Sequence, residues 1–351
     1  MSHQLHRRFF IRQAAYSTIG LGLLKKATDL YAHEAPQQKG KIGIIGLDTS
    51  HSVAFTKSLN GPNPSPAFNG FTIVAAYPRG SADIESSVKR IPGYTEEVKK
   101  LGVEIVDSVA SLLEKVDYVL LETNDGRPHL EQAVQVLKAG KPMFIDKPVA
   151  ASLTDIIAIY ELARKYKVPV FSSSSLRYME SVQEAIHGKV GKILGADTYS
   201  PATLEKNHPD FFWYGIHGIE ILYAVMGKGC KELVRINSKD TDIVVGSWYD
   251  GRTGTFRGTR TGTHDYGGTA YGEKGNIVLG PFKGYDNLLD QIIAFFKSGI
   301  VPVSAEETLE RERGREEEEE GKSKEGNDRE RWGWDEGRGG RWGGERKGWD
   351  G

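Results

Sequence analysis

Cysteine is almost missing from this chain. A single residue, Cys230, among 351 excludes an internal disulfide framework and any cysteine-rich metal site, and no other metal-ligand spacing stands out. Net charge is missing too. The 46 Lys and Arg against 47 Asp and Glu leave −1, so no bulk field draws in nucleic acid or an anionic surface. No uncharged apolar run reaches the ~18 residues that a membrane helix needs. Aliphatic residues vanish from Glu310 onward, where the only apolar side chains are four tryptophans. Such a stretch cannot bury enough surface to offset its ordering entropy. Residues 310–351 are therefore expected to form a disordered, low-complexity tail, and cutting at Glu310 should change the melting temperature little. The break after PVSAEETLE, which starts like a capped helix, is what a frameshifted C-terminus would leave. The RGG-like GRGGRWGG is interspersed with acids, which weighs against nucleic acid as its partner.

At the other end, HRRFFIRQAAYSTIGLGLL carries Arg7 and Arg8, then Phe10 and Ile11, then a weakly apolar stretch. It resembles a bacterial twin-arginine export signal, which implies a periplasmic or cell-envelope protein. Residues 1–35 are assigned to it.

The remaining length suits two domains. KIGIIG, FTIVAAY, VEIV, DYVLLET, PMFID and VPVFSSS read as buried parallel strands. Helix-length stretches lie between them at 53–59, 108–115, 129–139 and 153–166. Gly140 stands where a helix C-terminus wants glycine. This alternation predicts an α/β fold with a doubly wound Rossmann sheet over 36–175. Beyond it, alternating segments with glycine turns, plus helices near 214–226 and 287–297, predict an α+β domain over 176–309. Its sheet is expected to be antiparallel and open, wanting cover from a second copy in a dimer or tetramer.

The turn KIGIIGLDTSHS poses the central question. Gly46 ends the first strand where a nucleotide-binding turn begins, but Asp48 and His51 replace the second and third fingerprint glycines. An unpaired carboxylate about 4 Å from a phosphate would cost roughly 4 kcal/mol at an effective dielectric near 20. Thr49 and Ser50 can still cap a helix whose N-terminus attracts phosphate, and His51 can add positive charge. The second strand ends in AAYPRGS, with no acid before Asp83. Arg79 and Ser81 there favour the 2′-phosphate of NADP, slightly, over NAD.

In GKPMFIDKPVA, Asp146, Lys147 and Pro148 follow a strand's carboxyl end, the edge where open α/β sheets bind ligands. A partly desolvated lysine can lower a substrate hydroxyl's pKa. A solvated turn lysine is the plain alternative. Pro148 restricts the residue before it and is a candidate cis peptide.

Asp146-Lys147-Pro148 after AGKP, ETNDGRPH ending at His129, FSSSSLRY with Arg177 and Tyr178, and WYGIHGIEILYAVMG with His217 together resemble the Gfo/Idh/MocA oxidoreductases. The resemblance covers about Lys41 to Leu309. It implies hydride transfer on a sugar or polyol, with Lys147 bonded to the reacting oxygen and His217 as general base or acid. To the cofactor contacts from Gly46, Thr49, Ser50, His51 and Arg79 it adds Asn124, His129, Asp146, Lys147 and Arg177. The family often places an aspartate four residues before the histidine. Here that position is Trp213, and the nearest acid is Asp210. Phe212, Trp213 and Tyr214 offer stacking on a sugar ring, or core packing; His264 and Asp265 are weaker candidates. Two other readings use the same parts. One is a glycosidase that oxidises a sugar transiently, eliminates the aglycone and reduces it back. The other is a carbohydrate-binding protein with a degenerate Rossmann site.

Overall fold

The computed structural model describes residues 39–312, except 69, 209, 210, 212 and 264, and the backbone of two strands at 330–335 and 341–346. The proposed export signal, Asp210, Phe212 and His264 lie outside the described residues.

The chain opens with β1 (Gly40–Ile45), α1 (Ser50–Asn60), β2 (Phe71–Tyr77), α2 (Glu85–Lys100), β3 (Glu104–Ile105), α3 (Val109–Leu113), β4 (Tyr118–Leu121), α4 (His129–Lys138), β5 (Met143–Ile145), α5 (Leu153–Tyr166) and β6 (Val170–Ser172). The strands form a six-stranded sheet in the order β3-β2-β1-β4-β5-β6, parallel throughout. This is the doubly wound Rossmann arrangement, with its switch point between β1 and β4. Alternate strand residues face opposite cores. Ile42, Ile44, Leu120 and Phe144 pack with Phe55 and Leu59 of α1. Ile45, Val119, Leu121 and Ile145 pack with Leu112, Val136 and Ile156 of α3, α4 and α5. Hydrophobic periodicity does not announce α2, because only its Ser87 and Val98 are buried.

The second half contains α6 (Glu180–Ile186), β7 (Ile193–Pro201), α7 (Ile216–Met226), β8 (Cys230–Asn237), β9 (Thr241–Trp248), β10 (Thr253–Thr259), β11 (Gly267–Gly272) and β12 (Gly275–Leu279). It differs from the expected antiparallel sheet, because β7 and β10 pair in parallel. The cause is the passage through α7. This helical crossover returns the chain to the same end of the sheet, so β8 runs with β7, and the meander β8-β9-β10 then lays β10 beside it. α7 is buried along most of its length. The outer sheet face exposes Leu194, Tyr199, Ile236 and Val278.

The chain then returns. α8 (Asp286–Ser298) packs Leu288, Leu289, Ile292, Phe295 and Phe296 into the core of the parallel sheet, against Ile42, Phe71 and Phe171. It completes the Rossmann half and not the α+β half to which its position in the chain assigned it.

A last helix, α9 (305–312), corrects the expected boundary at residue 310. Arg311 and Glu312 are fully buried, and the Glu310 carboxylate accepts from the backbone N–H groups of Gly229 (2.9 Å) and Cys230 (2.8 Å). Polar residues replace the apolar face this helix lacks. Glu220 of α7 lies between Arg177 and Arg311, and Arg177 also meets Glu307. A buried charge is tolerable only when paired in this way. Two strands beyond, β13 (Glu330–Asp335) and β14 (Arg341–Arg346), extend the second sheet from β8, where a wholly disordered tail was expected. Backbone pairing at a free sheet edge needs no apolar side chains.

Candidate active site

The carboxyl ends of β1, β4 and β5 and the segment leading into α7 enclose a cavity of about 400 Å³. A larger surface groove of about 660 Å³ lies between α6 and α8 and gathers none of the anticipated site residues except the neighbourhood of Tyr178.

The turn after β1 shows what became of the glycine fingerprint. Gly46 has φ +91°, and a Cβ there would come within 2.5 Å of the Thr123 backbone nitrogen, so only glycine fits. Asp48 is fully buried and is not among the residues lining the cavity. Its carboxylate accepts from the backbone N–H of Ser81 at 2.9 Å and of Asn124 at 3.0 Å, and it lies against Gly80, where a Cβ would meet it at 2.1 Å. Asp48 thus ties the loops after β1, β2 and β4 together, and it does not stand over a phosphate. Burial raises its pKa despite the two backbone donors. Asp48→Ala strands both N–H groups. The expected loss is about 2–4 kcal/mol of unfolding free energy, read from urea denaturation with an unchanged m-value.

Thr49 occupies the N-cap of α1, but its hydroxyl caps nothing. It reaches towards Ser52 and donates to Glu122 at 3.4 Å. The α1 N-terminus therefore keeps its unsatisfied N–H groups. Thr49, Ser50, His51 and Asn124 line the cavity there, joined by Arg90 from α2. The Ser50 hydroxyl lies 2.9 Å from that of Tyr285.

His51 sits between two carboxylates. Its Nδ1 is 3.3 Å from Asp146 and 3.4 Å from Glu122, and all three residues are buried. Burial lowers the imidazole pKa, but the two acids outweigh it and raise it to about 10. Burial lifts Glu122 to about 7, whereas His51 and Lys147 hold Asp146 below its ordinary value against the same penalty.

Three anticipated cofactor contacts are elsewhere. His129 is buried, with ring nitrogens 2.7 Å from the Thr123 carbonyl and 3.0 Å from that of Val149. It staples two loops. Arg177 belongs to the Glu220 and Glu307 network because those buried acids require a cation. Arg79 is exposed and outside the cavity lining, while Ser81 donates to Asp125 and Asp83. The 2′-phosphate clamp expected from that pair is not assembled.

The anticipated catalytic pair does share a cavity. Lys147, followed by a cis peptide to Pro148, and His217, on the first turn of α7, line the same cavity. Burial and then the Lys147 charge push the His217 pKa well below its usual value. Among the described residues no acid is hydrogen-bonded to this imidazole. Its Nδ1 lies 2.7 Å from the Ser174 hydroxyl, which also accepts from the Leu176 N–H. Trp213 fills the aspartate's place and packs at 5.0 Å from His208. Trp213 and Tyr214 both line the cavity; Asp265 is exposed and outside its lining. Sequence reasoning missed Glu122, Arg90, Ser174, Tyr266 and Tyr285. Only Glu122, in the quoted ETNDGRPH, carried a signal, an acid at a strand's carboxyl end.

Comparison with known proteins agrees with this geometry. Residues 41–174 match the family described as an oxidoreductase family with an NAD-binding Rossmann fold. The chain is 25% identical over 210 residues to the myo-inositol 2-dehydrogenase of Thermotoga maritima, covering 52% of this chain and 63% of that protein. Among solved structures, a probable dehydrogenase from Thermotoga maritima superposes with a TM-score of 0.63 at 21% identity, covering 80% of this chain and 97% of that one. The scyllo-inositol dehydrogenase of Lactobacillus casei, solved with NAD(H) and scyllo-inositol, gives 0.62 at 16%, covering 79% and 95%. These two share the fold.

Proposed function

We propose, from the match of residues 41–174 to the Gfo/Idh/MocA oxidoreductase family, that this chain is a member of it and a dinucleotide-dependent dehydrogenase of a cyclic polyol or sugar. The observation that carries the reading is the shared cavity, lined by Lys147 and His217 together with an uncapped helix N-terminus and Arg90.

The residues present fit a dinucleotide. The free N–H groups of α1 and the Arg90 guanidinium suit a phosphate, and Asp48 is turned away from it. The nicotinamide, when bound, supplies the hydride acceptor or donor. The Lys147 ammonium holds the reacting hydroxyl and favours its oxyanion. In the tautomer whose Nδ1 donates to Ser174, 2.7 Å away, Nε2 of His217 has a lone pair to take the hydroxyl proton. Trp213, Tyr214 and Tyr266 give the ring of a polyol an aromatic wall. With Ser81 engaged, Arg79 alone remains for a 2′-phosphate, and NAD is the expected cofactor.

Purified protein given NAD or NADP with a panel of inositols and pyranoses is expected to reduce NAD with at least one of them, followed by nicotinamide absorbance. No reduction across the panel, together with no dinucleotide released on denaturation, would refute the reading. Export by the twin-arginine route and pairing of two copies through the exposed sheet face complete the proposal. Periplasmic recovery lost in Arg7→Lys/Arg8→Lys, and a dimer or larger species in light scattering, are the expected results.

A further inference from the structure

We propose that His51, Glu122 and Asp146 form a binding site for one divalent transition-metal ion at the floor of the cavity. The three come from the start of α1 and from the chain just past the ends of β4 and β5, so no local spacing advertises them. One ligand atom from each, the imidazole Nδ1 and a carboxylate oxygen from either acid, lies within 4.8 Å of the other two.

Two observations favour an ion over a plain ion pair. The first is distance. A charge-assisted N–H···O bond closes to about 2.7–2.9 Å, yet His51 Nδ1 stands 3.3 and 3.4 Å from its two acids. Two ligands each 2.0–2.1 Å from a tetrahedral ion are roughly 3.3–3.4 Å apart. The second is an unmet bonding demand. His51 Nδ1 and the Asp146 Oδ1 that faces it are both buried without a hydrogen-bond partner, as is the second oxygen of Glu122, Oε1. Facing polar atoms left bare in the interior are costly, and one cation between His51 Nδ1 and Asp146 Oδ1, with a Glu122 oxygen as third ligand, would satisfy them.

The ligand types select the class of ion. One imidazole with two carboxylates suits zinc, manganese or iron better than magnesium or calcium, which prefer all-oxygen shells. An ion that displaces the His51 proton meets a neutral imidazole and two carboxylates, which together carry −2 and balance it. Three protein ligands leave at least one position open, as in catalytic rather than structural sites. His51 and Asp146 line the cavity, so the open position faces it and would take an oxygen from a bound ligand. Thr49 donates to the Glu122 oxygen nearest His51 and so orients that carboxylate.

The test needs no dinucleotide or polyol, so its outcome is independent of the dehydrogenase reading. Chelator-treated full-length protein is titrated with Co²⁺ and then with Zn²⁺. The expected result is saturation at one ion per chain, with visible Co²⁺ absorption that Zn²⁺ removes. His51→Gln, Glu122→Gln and Asp146→Asn should each weaken binding by on the order of 100-fold or more, beyond what outer-shell changes cause. X-ray absorption of the zinc-loaded wild type, which does not depend on the variants folding, should show one imidazole and carboxylate oxygens around the ion. Absence of saturable uptake, equal uptake in folded variants, or a zinc spectrum without imidazole scattering would overturn the site.

Discussion

Lys147→Met and His217→Asn are each expected to lower kcat by on the order of 10²–10⁴, with dinucleotide affinity changed far less. Both side chains line the cavity, and neither belongs to the α1 N-terminus. Single-turnover kinetics beside dinucleotide titration separate the two quantities. A fall in affinity matching the fall in rate would show that these groups bind cofactor rather than act on the hydroxyl. The pH profile carries the same information. His217 faces Lys147 and a neutral serine, and burial already disfavours its cation, so its pKa lies well below 6.5. The base is thus unprotonated at neutral pH. The rate of oxidation should stay level as pH falls through 6.5 and drop only in more acidic solution. An acid limb near 6.5 would mean that the imidazole is solvated, or that another group is the base.

A chain ended after Leu309 is expected to melt roughly 10–20 °C lower. Loss of Glu310 leaves the Gly229 and Cys230 N–H groups without their acceptor. Loss of Arg311 leaves Glu220, fully buried, with Arg177 as its one remaining cation. Together these are worth on the order of 5 kcal/mol, at about 2–4 °C per kcal/mol. The single variant Arg311→Met should reproduce about half of the loss. Arg311→Met with Glu220→Met should recover part of it, because a buried pair replaced by apolar groups costs less than a pair broken. A melting temperature within two or three degrees of wild type on truncation, as composition alone suggests, would refute this account of α9.

That contrast marks where sequence is legible. The apolar runs of β1, β2, β4 and β5 could bury themselves only in a parallel sheet, and the structure has one. Lys147 and His217 were legible because each sits on a motif whose neighbours fix the backbone. Asp48 was not. Its charge was read against an absent phosphate, while its true partners, the N–H groups of Ser81 and Asn124, carry no side-chain signature. His129 and Arg177 look like ligands by type, and only the fold shows that carbonyls and buried acids already occupy them. α9 was hidden for a related reason. A helix without an apolar stripe reads as solvent-facing unless a buried opposite charge, here Glu220 from more than eighty residues earlier, waits for it.

The return of α8 to the first sheet bears on how the molecule comes into being. Phe295 and Phe296 cover an apolar face laid down by Ile42, Phe71 and Phe171 at the chain's beginning. On the ribosome, that face stays bare until nearly 300 residues have emerged. The Rossmann half cannot mature as a vectorial first domain, and its nascent form is a natural client for chaperones. A gene fragment cut at the apparent domain border should yield aggregate, whereas the same fragment with α8 joined directly after β6 should fold.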